Sequence, residues 1–254
     1  MIPAELRQSF ARRQWCALAR SLSPVLPMLA RALSRRSSLV TTNGLRLTVA
    51  PGVFHPTLYA TTLVFAEYLH SLDLDGKRVL EMGTGSGMLA MEAARRGAQV
   101  VAADINPAAV SCARENAARN GLATRVTVIE SDLFASLASD QRFDIILWNV
   151  PFYPRNATDD RGRAWFAGRE YEAIRRFATG AGRFLAEGGA VLVLVSLVME
   201  LEKILPSFEA TFAPPRVVAI RRGVLETFAI LSFEANRTRT GESGRRAAQV
   251  RLPP

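Results

Sequence analysis

The sequence predicts an α/β fold built on a doubly wound, mainly parallel sheet, preceded by a small helical cap and a β-hairpin. Three observations carry that expectation. Short apolar runs alternate with helical patterns from Lys77 to about Phe233, the grammar of strands joined by crossover helices. Two runs, Ile145-Ile146-Leu147 and Val191-Leu192-Val193-Leu194, are apolar without alternation, as strands covered on both faces are. The final two runs are separated only by about Arg222-Gly223-Val224, too little for a crossover, so they must pair antiparallel.

In chain order, Leu6, Phe10, Trp15 and Leu18, then Leu26, Leu29 and Leu33, recur at three- and four-residue steps on either side of Ser23-Pro24. That spacing gives two short amphipathic helices. The arginine-rich, acid-poor composition of the same stretch is also that of a transit peptide, but the periodicity favours the cap. Ser38 to Thr42 and Leu45 to Val49 flank Asn43-Gly44, the dipeptide that accepts positive φ at both turn positions, which reads as a hairpin. Gly52 to Pro56 leads into a helix from about Leu58 to Leu72. Strands are then expected at Arg78 to Met82, Gln99 to Ala103, Val126 to Glu130, Phe143 to Trp148, Ala190 to Ser196, Arg216 to Arg221 and Leu225 to Phe233. Helices are expected at Met88 to Arg96, Pro107 to Asn120, Glu170 to Leu185 and about Glu200 to Phe208. The tail from Ala235, rich in Arg, Thr, Gly and Ser, has the composition of disorder. The resulting division is 1–50 for cap and hairpin, 51–234 for the main domain and 235–254 for a basic tail.

Composition excludes several classes. The 254 residues are 49% hydrophobic and 22% charged, ordinary for a globular chain. Two cysteines, Cys16 and Cys112, and two histidines, His55 and His70, make neither a disulfide framework nor a zinc-spaced cluster, so no metal is expected. The apolar run Ala190 to Met199 is about half the ~20 residues of a membrane span, so no membrane is expected and a cytoplasmic location follows. A net charge of +9, concentrated in arginines at the two ends, fits a solvated, coding-biased surface better than an acidic partner such as nucleic acid, which is the alternative. Cys112 lies inside a helical pattern and reads as core.

The chemistry begins at Glu81-Met82-Gly83-Thr84-Gly85-Ser86-Gly87. Glycines at a strand end let a ligand approach the backbone and present amides at the next helix N-terminus. A carboxylate two residues before the first glycine would repel a pyrophosphate and attract a ligand carrying ammonium and sulfonium charges, which favours S-adenosylmethionine (SAM) over a dinucleotide. Asp104 ends the second strand, about 20 residues after Gly83, where a carboxylate can accept two ribose hydroxyls. The alternative for Asp104, a helix N-cap, suits Asn106 better because Pro107 follows it. Asp132, in Ser131-Asp132-Leu133-Phe134, is a third acid after a strand end, with a plain solvated loop acid as the alternative.

After the fourth strand comes Asn149-Val150-Pro151-Phe152-Tyr153-Pro154. The residue before a proline is held extended, so the Val150 carbonyl projects outward. That carbonyl and the Asn149 side-chain oxygen can accept the two N–H hydrogens of a planar nitrogen and aim its lone pair, while Phe152 offers a ring face. His55 is the histidine near this site, in a packing or hydrogen-bonding role or, alternatively, as a general base.

From Lys77 to Phe233 the strand inventory resembles that of class I methyltransferases. The segments Val49 to Pro56, Ser131 to Phe134 and Phe143 to Asn149 resemble the HemK-like family of protein-glutamine N5-methyltransferases. The resemblance implies a seven-stranded, Rossmann-like sheet with an antiparallel last strand. It further implies SAM contacts from Phe54, Glu81, Gly83, Thr84, Gly85, Gly87, Asp104, Ile105, Asp132, Leu133 and Asn149, and acceptor handling by Asn149, Val150, Pro151 and Phe152. The family's motif is Asn-Pro-Pro-Tyr, so Val150 and Phe152 depart from it. Protein glutamine leads as methyl acceptor, followed by an RNA base amine and a small-molecule amine; a SAM-binding but inactive partner subunit is the non-enzymatic alternative.

Overall fold

A computed structural model describes residues 2–6, 36–57, 60–159, 162–222 and 226–236. The two expected cap helices fall outside these residues, apart from a single 3-10 turn at Ala4–Leu6, as does the basic tail beyond Asn236; Ala235, where that tail is expected to begin, bridges Phe212.

Strands β1 (Ser38–Thr42) and β2 (Leu45–Val49) form the antiparallel hairpin, and Asn43 and Gly44 take φ of 47° and 73° as its turn requires. Helix α1 (Ala60–His70) follows. The main unit then runs β3 (Arg78–Met82), α2 (Met88–Arg95), β4 (Gln99–Asp104), α3 (Pro107–Arg119), β5 (Val126–Glu130), β6 (Phe143–Asn149), α4 (Glu172–Ala181), β7 (Leu185–Ser196), α5 (Leu201–Glu209), β8 (Arg216–Arg222) and β9 (Thr227–Glu234). The seven strands are ordered β5-β4-β3-β6-β7-β9-β8. Those from β5 to β7 are parallel, and β9 lies antiparallel between β7 and β8. The order reverses between β3 and β6, and a crevice at the carboxyl ends of the strands is expected at that switch point.

Alternation along the strands builds two cores. Ile145 and Leu147 of β6, Leu192 and Leu194 of β7 and Ile230 of β9 face a layer that includes Phe65 and Leu69 of α1, Met91 of α2 and Val110 of α3. Ile146, Val191, Val193 and Leu231 face the other side, against Ile174 and Phe177 of α4 and Ile204 and Phe208 of α5. Successive side chains leave a strand on opposite faces, so the unbroken apolar runs feed both layers. At about 1.5–3 kcal/mol per fully buried large apolar side chain, this two-sided burial is what holds the strand ends in place.

The hairpin docks on α3 through amide side chains one helical turn apart. The Thr48 N–H donates to Asn116 Oδ1 at 2.8 Å, and Asn116 Nδ2 donates to the Thr48 carbonyl at 2.8 Å. Asn120 makes the same pair with the backbone of Arg46, at 3.0 and 2.9 Å. The otherwise open edge of β2 is thereby satisfied. Cys112 is buried and donates to the Thr48 carbonyl, a core position as expected.

The largest difference in bounds lies between α4 and β7. The helix expected to reach Leu185 ends at Ala181, and β7 begins at Leu185, well before Ala190. The extra strand residues are taken up as an irregularity: Phe143 pairs with Leu185, yet Ile145 pairs with Ala190, and Gly188 turns the chain with a φ of 72°.

Candidate functional site

The crevice at the switch point opens into a cavity of about 1040 Å³, walled by the carboxyl ends of the strands, the segment Gly52–Pro56, and the stretch from Pro151 to Arg176. That is the upper end of the ~300–1,000 Å³ of ordinary ligand sites, enough for a cofactor and an acceptor group side by side.

The glycine turn forms its floor. Gly83, Gly85 and Gly87 all take positive φ, 64°, 55° and 82°. A Cβ on Gly83 would stand 3.0 Å from Trp148 Nε1, and one on Gly87 would stand 3.0 Å from Ala113 Cβ. Gly87 thus lets α2 start hard against α3, and Gly83 keeps the cavity open beside Trp148. Glu81 is 3% exposed, with Oε2 taking bonds from Thr84 Oγ1 at 2.6 Å and the Ala90 N–H at 2.9 Å. Burial pushes its carboxyl up to about 8; those two bonds oppose the shift and the Asp104 charge adds to it. A cation placed beside Glu81 would restore its ionised form.

Asp104 is held from both sides. The Gly85 N–H donates to Oδ2 at 2.8 Å and the Asn106 N–H to Oδ1 at 2.9 Å. Burial raises its pKa, while the Asn106, Gly85 and Ile105 amides pull it down. Asn106, not Asp104, caps α3, accepting from the Ala108 N–H at 3.0 Å, so the carboxylate is left for the cavity it lines beside Ile105.

Asp132 also lines the cavity, but it is 43% exposed and forks onto Arg176 of α4, at 3.2 and 3.1 Å. Leu133 beside it takes a φ of 54°, and Ser131 Oγ ties down that turn by donating to the Leu133 carbonyl at 2.6 Å.

On the acceptor side, Asn149 ends β6 in register with Leu194 of β7. Its Nδ2 donates to Thr61 Oγ1 of α1 at 3.2 Å, which fixes which way the amide faces. Its Oδ1 is buried and has no hydrogen-bond partner among the described residues. An unsatisfied buried acceptor costs about 1–3 kcal/mol, so this oxygen is open to a donor that arrives from outside. Val150 and Pro151 are buried next to it, and Phe152 packs on Phe228 of β9 with ring centroids 6.1 Å apart.

A second wall comes from the loop after Pro154. Tyr153 pairs with Phe166 as an isolated bridge, and Trp165 meets Phe54 with centroids 4.8 Å apart. His55 accepts or donates at 3.3 Å with Thr57, and burial lowers its pKa; among the described residues lining the cavity it does not appear. The site residues named from sequence line this cavity, apart from Gly87 and His55. Thr61, Trp148, Trp165, Arg176 and Glu226 were not anticipated. Trp148 could have been found, since it immediately precedes Asn149 in the strand; the others are distant in sequence from what they serve.

Among the described residues no group of His, Cys, Asp and Glu is arranged to hold a metal, and no helix is long and apolar enough to cross a membrane. The donor set suits SAM: two strand-end carboxyls, a glycine floor that a Cβ would close, and an unpartnered oxygen where an acceptor would stand.

Comparison with known proteins agrees. Residues 44–224 match the methyltransferase small domain family. A protein of Methanocaldococcus jannaschii named as a protein N5-glutamine methyltransferase is 32% identical over 164 residues, 62% of this chain and 79% of the relative. A ribosomal protein L11 methyltransferase of Deinococcus radiodurans is 47% identical over 91 residues, 35% of this chain and 33% of the relative; the chain thus spans about a third of that protein. Among solved structures, a T. thermophilus 16S rRNA N2 guanine methyltransferase in complex with AdoMet and guanosine has a TM-score of 0.62 at 23% identity, over 79% of this chain and 50% of that one. That likeness shows the fold.

Proposed function

The chain belongs to the methyltransferase small domain family and is a class I, HemK-like, SAM-dependent methyltransferase, and from that premise we propose that it methylates a planar amide or amino nitrogen, with a protein glutamine side chain as its acceptor. The observation that carries this is the buried, unpartnered Oδ1 of Asn149. It stands beside Val150, whose carbonyl is held extended by Pro151. The two oxygens accept the two hydrogens of a primary amide and hold its nitrogen in one orientation. Bound SAM supplies an electrophilic methyl group. Thr61 keeps Asn149 from rotating, Phe152 covers the planar group, and Asp104, Glu81 and the glycine turn hold the cofactor. Positioning of this kind accounts for much of the rate of such a transfer. Glutamine is favoured over other acceptors by the M. jannaschii relative, which this chain matches across most of its length. An RNA guanine is the second reading, supported by the T. thermophilus neighbour's bound guanosine.

Methyl-labelled SAM incubated with the protein and a cell extract tests this. Acid hydrolysis of N5-methylglutamine releases labelled methylamine, which is volatile. Label recovered as methylamine from the protein fraction is the expected result; label retained in a nucleoside from the RNA fraction would overturn the glutamine reading.

A further inference from the structure

The cavity holds one acid that the reading above does not use. Glu226, just before β9, lines the cavity together with Phe228, Phe152 and Thr62, and β9 stands three places along the sheet from β3, which carries Glu81. Glu226 shares the cavity lining with Phe228, whose ring stacks on Phe152. The carboxyl is fixed: the wholly buried Ser196 hydroxyl, in β7, donates to Oε1 at 2.5 Å. No described residue engages Oε2.

A primary amide whose two N–H hydrogens go to Asn149 and Val150 still has a carbonyl oxygen on its other side. That oxygen needs a donor, since a buried acceptor left without one is destabilising. Resting on the amide reading above, we propose that Glu226 is the specificity-determining residue for the acceptor's carbonyl, donating from a protonated Oε2 while Ser196 holds Oε1. Burial raises the Glu226 carboxyl above its ordinary range and the Ser196 bond partly opposes it, so the donor form persists at a pH where an exposed glutamate is ionised. No charged neighbour contributes to that shift. The strand beside β9 brings Arg221 and Arg222, both exposed; α1 brings Thr62, β7 brings Ser196, and the segment after β6 brings Asn149 and Phe152. Across the cavity stand Glu81, Asp104, Asp132, Arg163, Glu172 and Arg176.

The contact selects by geometry. An amide presents N–H and C=O on opposite sides of one carbon, which matches acceptors at Asn149 and a donor at Glu226. A guanine edge instead presents two adjacent N–H donors, which would need an ionised Glu226.

The experiment uses N-acetylglutamine methylamide, whose side chain is its one primary amide, with labelled SAM and the full chain. Half-saturation and turnover are measured between pH 5.5 and 9 for wild type, Glu226→Gln and Glu226→Ala, and S-adenosylhomocysteine affinity reports folding of the site. Glu226→Ala should raise the half-saturating concentration about tenfold, the loss of one hydrogen bond of ~1.4 kcal/mol, with turnover within about threefold. Glu226→Gln should stay near wild type, because its Oε1 still accepts from Ser196 and its N–H donates to the carbonyl. Wild type should weaken as pH rises while Glu226→Gln stays flat; since the variant retains every other titrating group, the difference belongs to Glu226. Unchanged half-saturation in Glu226→Ala, or equal impairment of Glu226→Gln, overturns the proposal and leaves the amide reading standing. Wild type that methylates guanosine and not the amide probe, or neither, overturns both.

Discussion

Thr84 Oγ1 donates to Glu81 Oε2 at 2.6 Å, across the first glycine of the cofactor turn. The bond places a hydroxyl against a carboxyl that burial has pushed up to about 8 from an unfolded value of 4.5. Between those two pH values the folded chain keeps a proton that the unfolded chain releases. Stability of the cofactor-free protein therefore falls as pH rises from about 4.5 to about 8 and levels off above. Glu81→Gln removes that slope, so thermal melts should show it gaining on wild type from pH 5 to pH 8 and matching it near pH 4.5. Parallel melting curves would count against a buried, protonated Glu81.

Asp104 joins the glycine turn to the start of α3 by accepting from both Gly85 and Asn106. It also faces the cavity. Asp104→Ala loses charge-assisted bonds worth about 1.5–3 kcal/mol, so SAM affinity should fall roughly tenfold to a hundredfold by calorimetry. The Asn106 cap remains in the variant, so helix content should be preserved. Unchanged SAM affinity would place the ribose elsewhere.

These residues were legible in the sequence because each follows directly on an apolar run: strand ends are marked by composition, and the chemistry sits at strand ends. Glu81, Asp104 and Asn149 share that property. Their partners do not. Thr61 holds Asn149 from 88 residues away, and Arg176 meets Asp132 from 44 residues away. No local pattern encodes such a pairing; it exists only once the fold brings α1 to the end of β6 and α4 to the loop after β5. The early start of β7 escaped for a different reason. Leu185 to Gly189 mixes Glu187 with two glycines, a loop composition that pairing with β6 converts to strand.

Gly87 tests the backbone of the glycine turn. It starts α2 at a φ of 82° and has Ala113 Cβ 3.0 Å from where its own Cβ would be. Gly87→Ala meets both a left-handed backbone penalty and a contact that neither helix can relieve without shifting, together about 1–3 kcal/mol. Denaturant titration should show that loss with an unchanged slope. The variant should also bind SAM less tightly, because the Gly83 and Gly85 amides shift with α2.

Asn149 separates enzyme from binding protein. Its Nδ2 is committed to Thr61, and its buried Oδ1 has no partner. As the acceptor nitrogen takes the methyl group its N–H hydrogens become more acidic, so the bond to Oδ1 strengthens in the transition state and contributes little to ground-state binding. Removing one such preorganised partner costs about 10²- to 10³-fold in rate. Asn149→Ala should therefore lower single-turnover methyl transfer by that order, while SAM affinity moves by less than about threefold. Thr61→Val offers the graded companion: it keeps Oδ1 but frees the amide to rotate, so a smaller rate loss is expected, again with SAM affinity intact. If Asn149→Ala keeps its turnover within a few-fold, Pro151 merely ends a strand and the acceptor is held elsewhere in the cavity.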